Sequence, residues 1–393
     1  MEPTEAQADR MFRHCADARY VWNLCLEQSN LYRPTFGPTP RFQPQLAEAR
    51  KGTWLGEGSS SVQQVAIRDF EQAMRNWWGG SHGRPTWRKR GRSDGFAIRD
   101  LTVAKLSRHW ATVNVPKCGP VRFRLSRPIP PDAKSARATC DSSGRWHVAF
   151  TSGQPEFHRE ATGLRVGLDM GIANAVTTSD GEHVAAPTRL TRGETQRKRR
   201  LQRQLARQTM GSNRRNRTKR KIARLAAREA GRRNDWIERT TTDLVRRYDF
   251  VAYEDLKVAN MVRSAAGTIE SPGVNVAQKR GLNRSISAQS WARFRTRIEQ
   301  KAAAATSPVT TIAVNPKNTS RNCSACSHLS PNNRKSQAVF MCENCGHKEH
   351  ADVNAGNNIL AAGLAVTGRG GTPCRSGPKN RQPKPKPALT CAA

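Results

Sequence analysis

Two C-x2-C pairs constrain this chain more than any other feature. Cys323 and Cys326 form the first and Cys342 and Cys345 the second, with fifteen residues between them. Each pair is a tight turn that presents two sulfurs, and the segment between is long enough for a hairpin. Thiolates in this number and spacing suit tetrahedral zinc. Gly346, and Asn332–Asn333 between the pairs, are residues that such turns need. The plain alternatives are unrelated thiols or disulfides. With four sulfurs no coordination position stays open, so a zinc ion here is structural and not catalytic. His328, His347 and His350 stand nearby and read as polar surface or nucleic-acid contacts, not ligands.

The chain has 393 residues and a net charge of +36. Such a field repels itself unless a polyanion neutralises it, so the expected partner is nucleic acid, with a membrane surface the weaker alternative. No apolar run approaches the length of a membrane span, and the N-terminus lacks the apolar core of a secretory signal. Cys15, Cys25, Cys118, Cys140, Cys374 and Cys391 are scattered without pattern, which fits reduced thiols in a prokaryotic cytoplasm.

Apolar periodicity predicts a helix over 4–30 (Met11, Cys15, Ala18, Val21, Trp22, Cys25) and another over 61–78. Residues 31–60, rich in Pro and Gly, read as loop. Trp77, Trp78 and Trp87 interleave with Arg84, Arg88, Lys89 and Arg90, a pattern that serves base stacking or core packing equally. Residues 95–152 alternate in short segments and read as a small antiparallel barrel or sandwich, with a hairpin tip at 141–144. Residues 163–181 form two strands, the first carrying Asp169. Between Arg192 and Arg233 stand 17 Lys or Arg and two acids, in two helices broken at 211–213. Arg197, Lys198, Arg199, Arg200, Arg203, Arg214, Arg215, Lys219, Arg220 and Lys221 are the candidate nucleic-acid contacts there. A strand at 249–256 delivers Glu254. Residues 258–286 read as irregular, 287–305 as helix, 308–316 as strand. Asp352 opens an apolar helix over 353–366, and a basic tail follows.

Asp169, Glu254 and Asp352 each end an apolar strand or open an apolar helix in a chain poor in acids. Side chains at the ends of neighbouring strands converge in an α/β sheet. Convergent carboxylates repel unless cations sit between them, and Mg2+ prefers such ligands. Two such ions about 3.5–4 Å apart can activate a water and stabilise the leaving oxygen of a phosphodiester. Taken singly, an Asp after a strand is more often a turn or a helix cap.

The segments GLDMGIANAVTTSDG, VAYEDLKVANM and CSAC…CENC…ADVNAGNNIL resemble, in order, the split nuclease motifs and inserted zinc ribbon of the transposon-encoded TnpB proteins, relatives of the compact type V CRISPR effectors. VWNLCL, PKCGPVRFR, GRWHVAF, the Arg-rich helices and GLNRSISAQSW extend the resemblance over residues 5–365. It implies a multidomain α/β protein: a helical recognition domain (1–84), a β-barrel wedge domain (85–160), an RNase H-like RuvC nuclease domain (161–321 and 350–366), a zinc ribbon (322–349) and a disordered basic tail (367–393). It also implies Asp169, Glu254 and Asp352 as catalytic residues, the cysteines as zinc ligands, a guide RNA, and cleavage of double-stranded target DNA beside a short flanking motif. Two departures stand out. Relatives usually begin with a short strand, whereas this chain starts almost at its first helix. Many relatives also carry an arginine immediately before the last aspartate, where this chain has Ala351.

Other readings stay open at this point. An RNA-guided repressor without cleavage has the full acid set against it. A CRISPR effector proper differs only by a neighbouring repeat array. A zinc-containing RNA-binding protein needs no divalent-ion site. A transposase that joins DNA ends needs an end-recognition motif, and none is evident.

Overall fold

The computed structural model describes residues 1–32, 41–92, 94–186, 190–268 and 270–368. The expected basic tail, past Gly368, lies outside the described residues. The described residues divide into two compact units, one with 1–153 and 197–225, the other with 154–196 and 226–368. Residues 197–225 of the Arg-rich stretch thus group with the N-terminal unit, where the sequence reading kept 192–233 together in the nuclease part.

In the first unit, α1 (Glu5–Leu31) starts at a capping box in which Thr4 and Gln7 satisfy each other's backbone N–H. Its Met11, Cys15, Ala18, Val21, Trp22 and Cys25 are buried, as the periodicity requires. The expected loop over 31–60 is corrected: 42–50 and 54–57 are helical, α2 (Phe42–Arg50) and α3 (Trp54–Glu57). Pro44 sits in the first turn of α2, where its missing N–H costs nothing. Each helix buries one leucine, Leu46 and Leu55, too few to show a period. Helix α4 (Ser60–Trp78) packs Phe70 edge-on to Trp22, with ring centroids 5.3 Å apart.

Strands β1 (Gly95–Ile98), β2 (Val103–Lys105), β3 (Trp110–Val115), β4 (Gly119–Arg124), β5 (Ser135–Cys140) and β6 (Trp146–Thr151) form two three-stranded antiparallel sheets, β1-β5-β6 and β2-β3-β4. Ala111, Val113 and Val115 of β3 alternate inward. The tip at 141–144 closes on Asp141, whose Oδ1 accepts the Ser143 N–H at 2.9 Å. Ahead of α1, the Met1 amino group donates to the Trp146 carbonyl and the Glu2 N–H to the Arg122 carbonyl, both at 2.7 Å. These first residues are therefore tied to both sheets.

The second unit is built on five strands, β7 (Arg165–Asp169), β8 (Asn174–Thr178), β9 (His183–Ala185), β10 (Phe250–Glu254) and β11 (Thr310–Val314), in the order β11-β10-β7-β8-β9. β11, β10 and β7 are parallel, β8 pairs antiparallel with β7, and β9 pairs antiparallel with β8. Every residue of β10 is buried, as a central strand covered on both faces must be. Val251 and Tyr253 face a core with Ile237, Leu244, Phe294 and Ile298. Phe250 and Ala252 face Ile359, on the other side.

The Arg-rich stretch gives α5 (Arg192–Ala206) and α6 (Asn213–Arg247), with the break where expected, and α6 continues unbroken to Arg247. Residues 258–286 are corrected from irregular: they contain α7 (Val258–Met261) and most of α8 (Val276–Gln289). The helix expected over 287–305 is instead the end of α8 and all of α9 (Trp291–Ala303), parted at Ser290, whose φ is 59°. A ribbon of β12 (Val339–Met341) and β13 (Lys348–His350) leads into α10 (Ala351–Gly368). Helix α10 lies directly on β7. A Cβ on Gly167 would stand 2.0 Å from the Gly356 carbonyl oxygen, so this approach requires glycine at 167.

Candidate functional site

The cysteine knuckles are near copies. The Cys323 N–H donates to the His328 carbonyl and the Cys342 N–H to the His347 carbonyl, at 3.0 and 2.9 Å. The residue after each second cysteine takes a positive φ, 59° at Ser327 and 72° at Gly346. Asn333 joins them. It is fully buried, donates to the Arg321 and His328 carbonyls, and accepts the Glu343 N–H. The Sγ atoms of Cys323, Cys326, Cys342 and Cys345 all lie within 4.8 Å of one another, with Cys323–Cys345 at 3.7 Å and Cys326–Cys342 at 3.6 Å. A tetrahedron with ~2.3 Å Zn–S bonds has edges of about 3.8 Å, so the set can hold a zinc ion. The backbone N–H at His328 helps hold the Cys326 thiol down to about 6, toward the thiolate a metal needs.

The carboxylates come from three elements of the second unit. Asp169 ends β7, Glu254 ends the adjacent β10, and Asp352 lies in the first turn of α10. Burial, then the charges of Glu254 and Asp352, push Asp169 up to about 7. The effect of both other acids on Asp169 points to their convergence, and a bound cation would relieve it. Glu254 is raised by burial and steadied by Thr319, whose Oγ1 donates at 2.7 Å. Asp352 accepts from Arg334 Nη2 at 3.1 Å. Among the described residues only the cysteine set has three or more ligand atoms within 4.8 Å, so the carboxylates are spread more widely than the sulfurs.

Arg334, Thr319 and His183 were not singled out by sequence reasoning. Arg334 lies in the segment between the knuckles, with no periodicity or motif to mark it. His350, read as surface or nucleic-acid contact, is half-buried, and its Nδ1 accepts the Asp352 N–H at 3.3 Å.

Of the ten basic candidates, Arg197, Arg199, Arg200, Arg203, Arg214, Lys219, Arg220 and Lys221 are exposed on α5 and α6. Lys198 is half-buried. Arg215 is half-buried as well, and its guanidinium donates to the carbonyls of Leu205 and Gln208, closing the turn between the helices. Among the tryptophans, Trp78 and Trp87 are exposed and Arg84 lies 5.3 Å over the Trp77 ring. Trp22 is buried under Arg88. No helix among the described residues is long and apolar enough to cross a membrane.

Residues 150–265 match the OrfB_IS605 family, described as "Probable transposase". Residues 291–359 match "Cas12f1-like, TNB domain", a span that holds the ribbon and Asp352. The chain is 34% identical over 374 residues to "Putative RNA-guided DNA endonuclease InsQ" of Escherichia coli (strain K12), covering 93% of this chain and 91% of that protein. It is 30% identical over 388 residues to "Putative RNA-guided DNA endonuclease" of Streptomyces pristinaespiralis, covering 94% and 89%. In fold it is similar to a chain in the "Cryo-EM structure of the Cas12f1-sgRNA-target DNA complex", with a TM-score of 0.54, 13% identity, and 89% of this chain and 82% of that one covered. With matched relatives spanning nearly its whole length, the chain belongs to the TnpB family of transposon-associated RNA-guided DNA endonucleases.

Proposed function

We propose that this chain is an RNA-guided DNA endonuclease that cuts at Asp169, Glu254 and Asp352. The observation that carries the site is the placement of Asp169 and Glu254 at the ends of the paired strands β7 and β10 and of Asp352 in the first turn of the helix packed on β7, with Asp169 raised by burial and then by the other two acids. Such a cluster is costly without cations and suits hard divalent ions. Mg2+, two ions in this reading, supplies Lewis-acid activation of water and of the leaving oxygen when bound. Asp169, Glu254 and Asp352 would hold it. Thr319 and Arg334 fix the orientation of two of these carboxylates. The sheet order and the helix on β7 support an RNase H-like reading of the second unit, and the paired antiparallel sheets support a wedge-type reading of 85–160.

The exposed cations of α5 and α6 would bind guide RNA and its heteroduplex through backbone charge, while base pairing selects the target. The zinc ion would be structural, closing the ribbon around Asn333. Full-length likeness runs to the two RNA-guided endonucleases, whereas likeness to the Cas12f1 of Sulfoacidibacillus thermotolerans covers 12% of this chain. This favours the transposon form over the CRISPR effector. A cytoplasmic setting is supported by the eight described cysteines, all free of disulfides.

The test is the protein purified with its bound RNA and offered a matching plasmid. Asp169→Ala is expected to keep target binding and lose Mg2+-dependent cutting. Cutting at the wild-type rate by that variant would overturn the assignment.

A further inference from the structure

Two histidines lie close to the elements that carry the acids, one bonded to the backbone of Asp352 and one to the strand paired with that of Asp169. His183 is exposed on the edge strand β9. Its Nδ1 lies 3.1 Å from Thr177 Oγ1 and 3.3 Å from Asn174 Nδ2. Thr177 is the register partner of Asp169 across β7 and β8. His350 ends β13, and its Nδ1 accepts the backbone N–H of Asp352. The rings meet edge to face with centroids 4.4 Å apart, although the residues come from the five-stranded sheet and the ribbon.

These contacts fix the tautomers. A backbone N–H can only donate, so His350 Nδ1 accepts and its ring proton sits on Nε2. The Asn174 amide nitrogen likewise donates, so His183 Nδ1 accepts and its proton is also on Nε2. Neither Nε2 has a protein partner among the described residues. Two N–H donors therefore stand together, on rings 4.4 Å apart, with their hydrogen-bonding capacity unspent among the described residues. By contrast, Arg334 Nη2 is taken up by Asp352 and the Gln337 carbonyl.

We propose that His183 and His350 form a phosphodiester-binding site that holds the backbone of the strand being cut, through their Nε2–H groups, next to the carboxylates. This rests on the assignment of the cutting site above. An imidazole N–H held in place through its Nδ1 can donate to a phosphate oxygen. The tie of His350 Nδ1 to the Asp352 N–H, and of His183 Nδ1 to Thr177 on the strand paired with β7, would keep the donors in step with Asp352 and Asp169.

Asparagine and glutamine substitutions separate this role from simple packing. Asparagine reproduces the Nδ1 acceptor and so keeps the Asp352 N–H satisfied, but it offers nothing at Nε2. Glutamine can place an N–H near the Nε2 position. The assay is single-turnover cutting by the RNA-loaded protein, started with Mg2+ on target already bound. His350→Asn and His183→Asn are each expected to slow cutting about tenfold to a hundredfold, the worth of one hydrogen bond to a charged acceptor, with target binding unchanged. His350→Gln and His183→Gln should stay within roughly threefold of wild type. A neutral methylphosphonate placed in turn at each phosphate near the cut should slow the wild type at one position and slow His183→Asn no further there. This arm needs only a substitution at an exposed strand edge, which folding tolerates.

Asparagine variants that cut at the wild-type rate would overturn the proposal, as would glutamine variants as slow as the asparagine ones. Asp169→Ala is run alongside. If it still cuts, the site assignment itself fails. If it is inert while both asparagine variants cut normally, only the histidine inference fails.

Discussion

Arg334 and Asp352 are eighteen residues apart in sequence and joined by a 3.1 Å ion pair. The arginine belongs to the ribbon and the aspartate to the helix that follows it. The residue just before this aspartate is Ala351, and the guanidinium that meets the carboxylate arrives from the ribbon. Arg334 also lowers Asp169, against the burial and the acids that raise it. Removing it should make Asp169 harder to ionise. Arg334→Ala is expected to cut about tenfold or more slowly, and to shift the acid limb of the cutting profile to higher pH, with Arg334→Lys intermediate. A pH series of single-turnover rates at fixed Mg2+ checks both.

The raised Asp169 also couples folding to pH. Its carboxyl holds a proton in the folded, metal-free chain up to about 7, while the unfolded chain releases it near 3.8. The folded state therefore binds more protons between these values, and stability falls as pH rises through them. The relative stability is fully present below about 4 and lost above about 7, a difference on the order of 4 kcal/mol. Asp169→Asn should remove this slope, and Mg2+ should flatten it in the wild type. Thermal unfolding of both proteins from pH 4 to 8, with and without Mg2+, measures it.

Zinc should be bound at one ion per chain and hold the ribbon shut. Cys326→Ser, or exhaustive chelation, is expected to lower the unfolding temperature by several degrees, about 2–4 °C for each kcal/mol lost. It should also abolish cutting, because Arg334 and the entry to α10 depend on the ribbon. Metal analysis beside calorimetry and cleavage decides this.

Charge on the basic helices should appear in the salt dependence of RNA binding. Replacing Arg197, Arg199, Arg200 and Arg203 by Gln should weaken binding and lower the slope of log K against log salt by roughly 0.7–0.9 per lost phosphate contact. Arg215→Ala should act differently. It should cost stability, because its guanidinium closes the turn between α5 and α6. RNA titrations at several salt concentrations, with melting curves, separate the two effects.

Packing of α10 on β7 leaves no room for a side chain at position 167. Gly167→Ala puts a Cβ 2.0 Å from the Gly356 carbonyl oxygen and 2.7 Å from the Leu360 nitrogen, both backbone atoms. The helix must move off the strand, at a cost of roughly 3 kcal/mol or more. Because strand and helix carry Asp169 and Asp352, cutting should fall with stability, as denaturant unfolding and cleavage on the same samples would show.

Where a single physical rule governs a segment, the sequence displays it. Phe250–Glu254 reads as a strand because a doubly covered strand is apolar throughout, and α1 shows its buried stripe plainly. Helices α2 and α8 escape because each buries almost nothing: Leu46 in the first, Ile286 and Gln289 in the second. Their polar residues carry no period. The positions of the three acids, at two strand ends and a helix start, were legible. Arg334 and His183 were not, because their partners are brought near only by the fold. The same holds for Asn333, expected as a turn residue and found as a fully buried link between the knuckles.

The insertion that holds the four clustered cysteines is clasped at its root. The Asn322 carbonyl accepts from both Asn354 and Asn358, the Thr319 carbonyl also accepts from Asn358, and the Ser324 N–H donates to Asn354. The residues entering the ribbon are thus sewn to the helix leaving it. A ribbon borrowed from a relative would fail if exchanged only between its outer cysteines. Breakpoints that survive recombination, in a laboratory or in a genome, should fall before Thr319 and after Asn358, so that the finger and the acid it guards are inherited together.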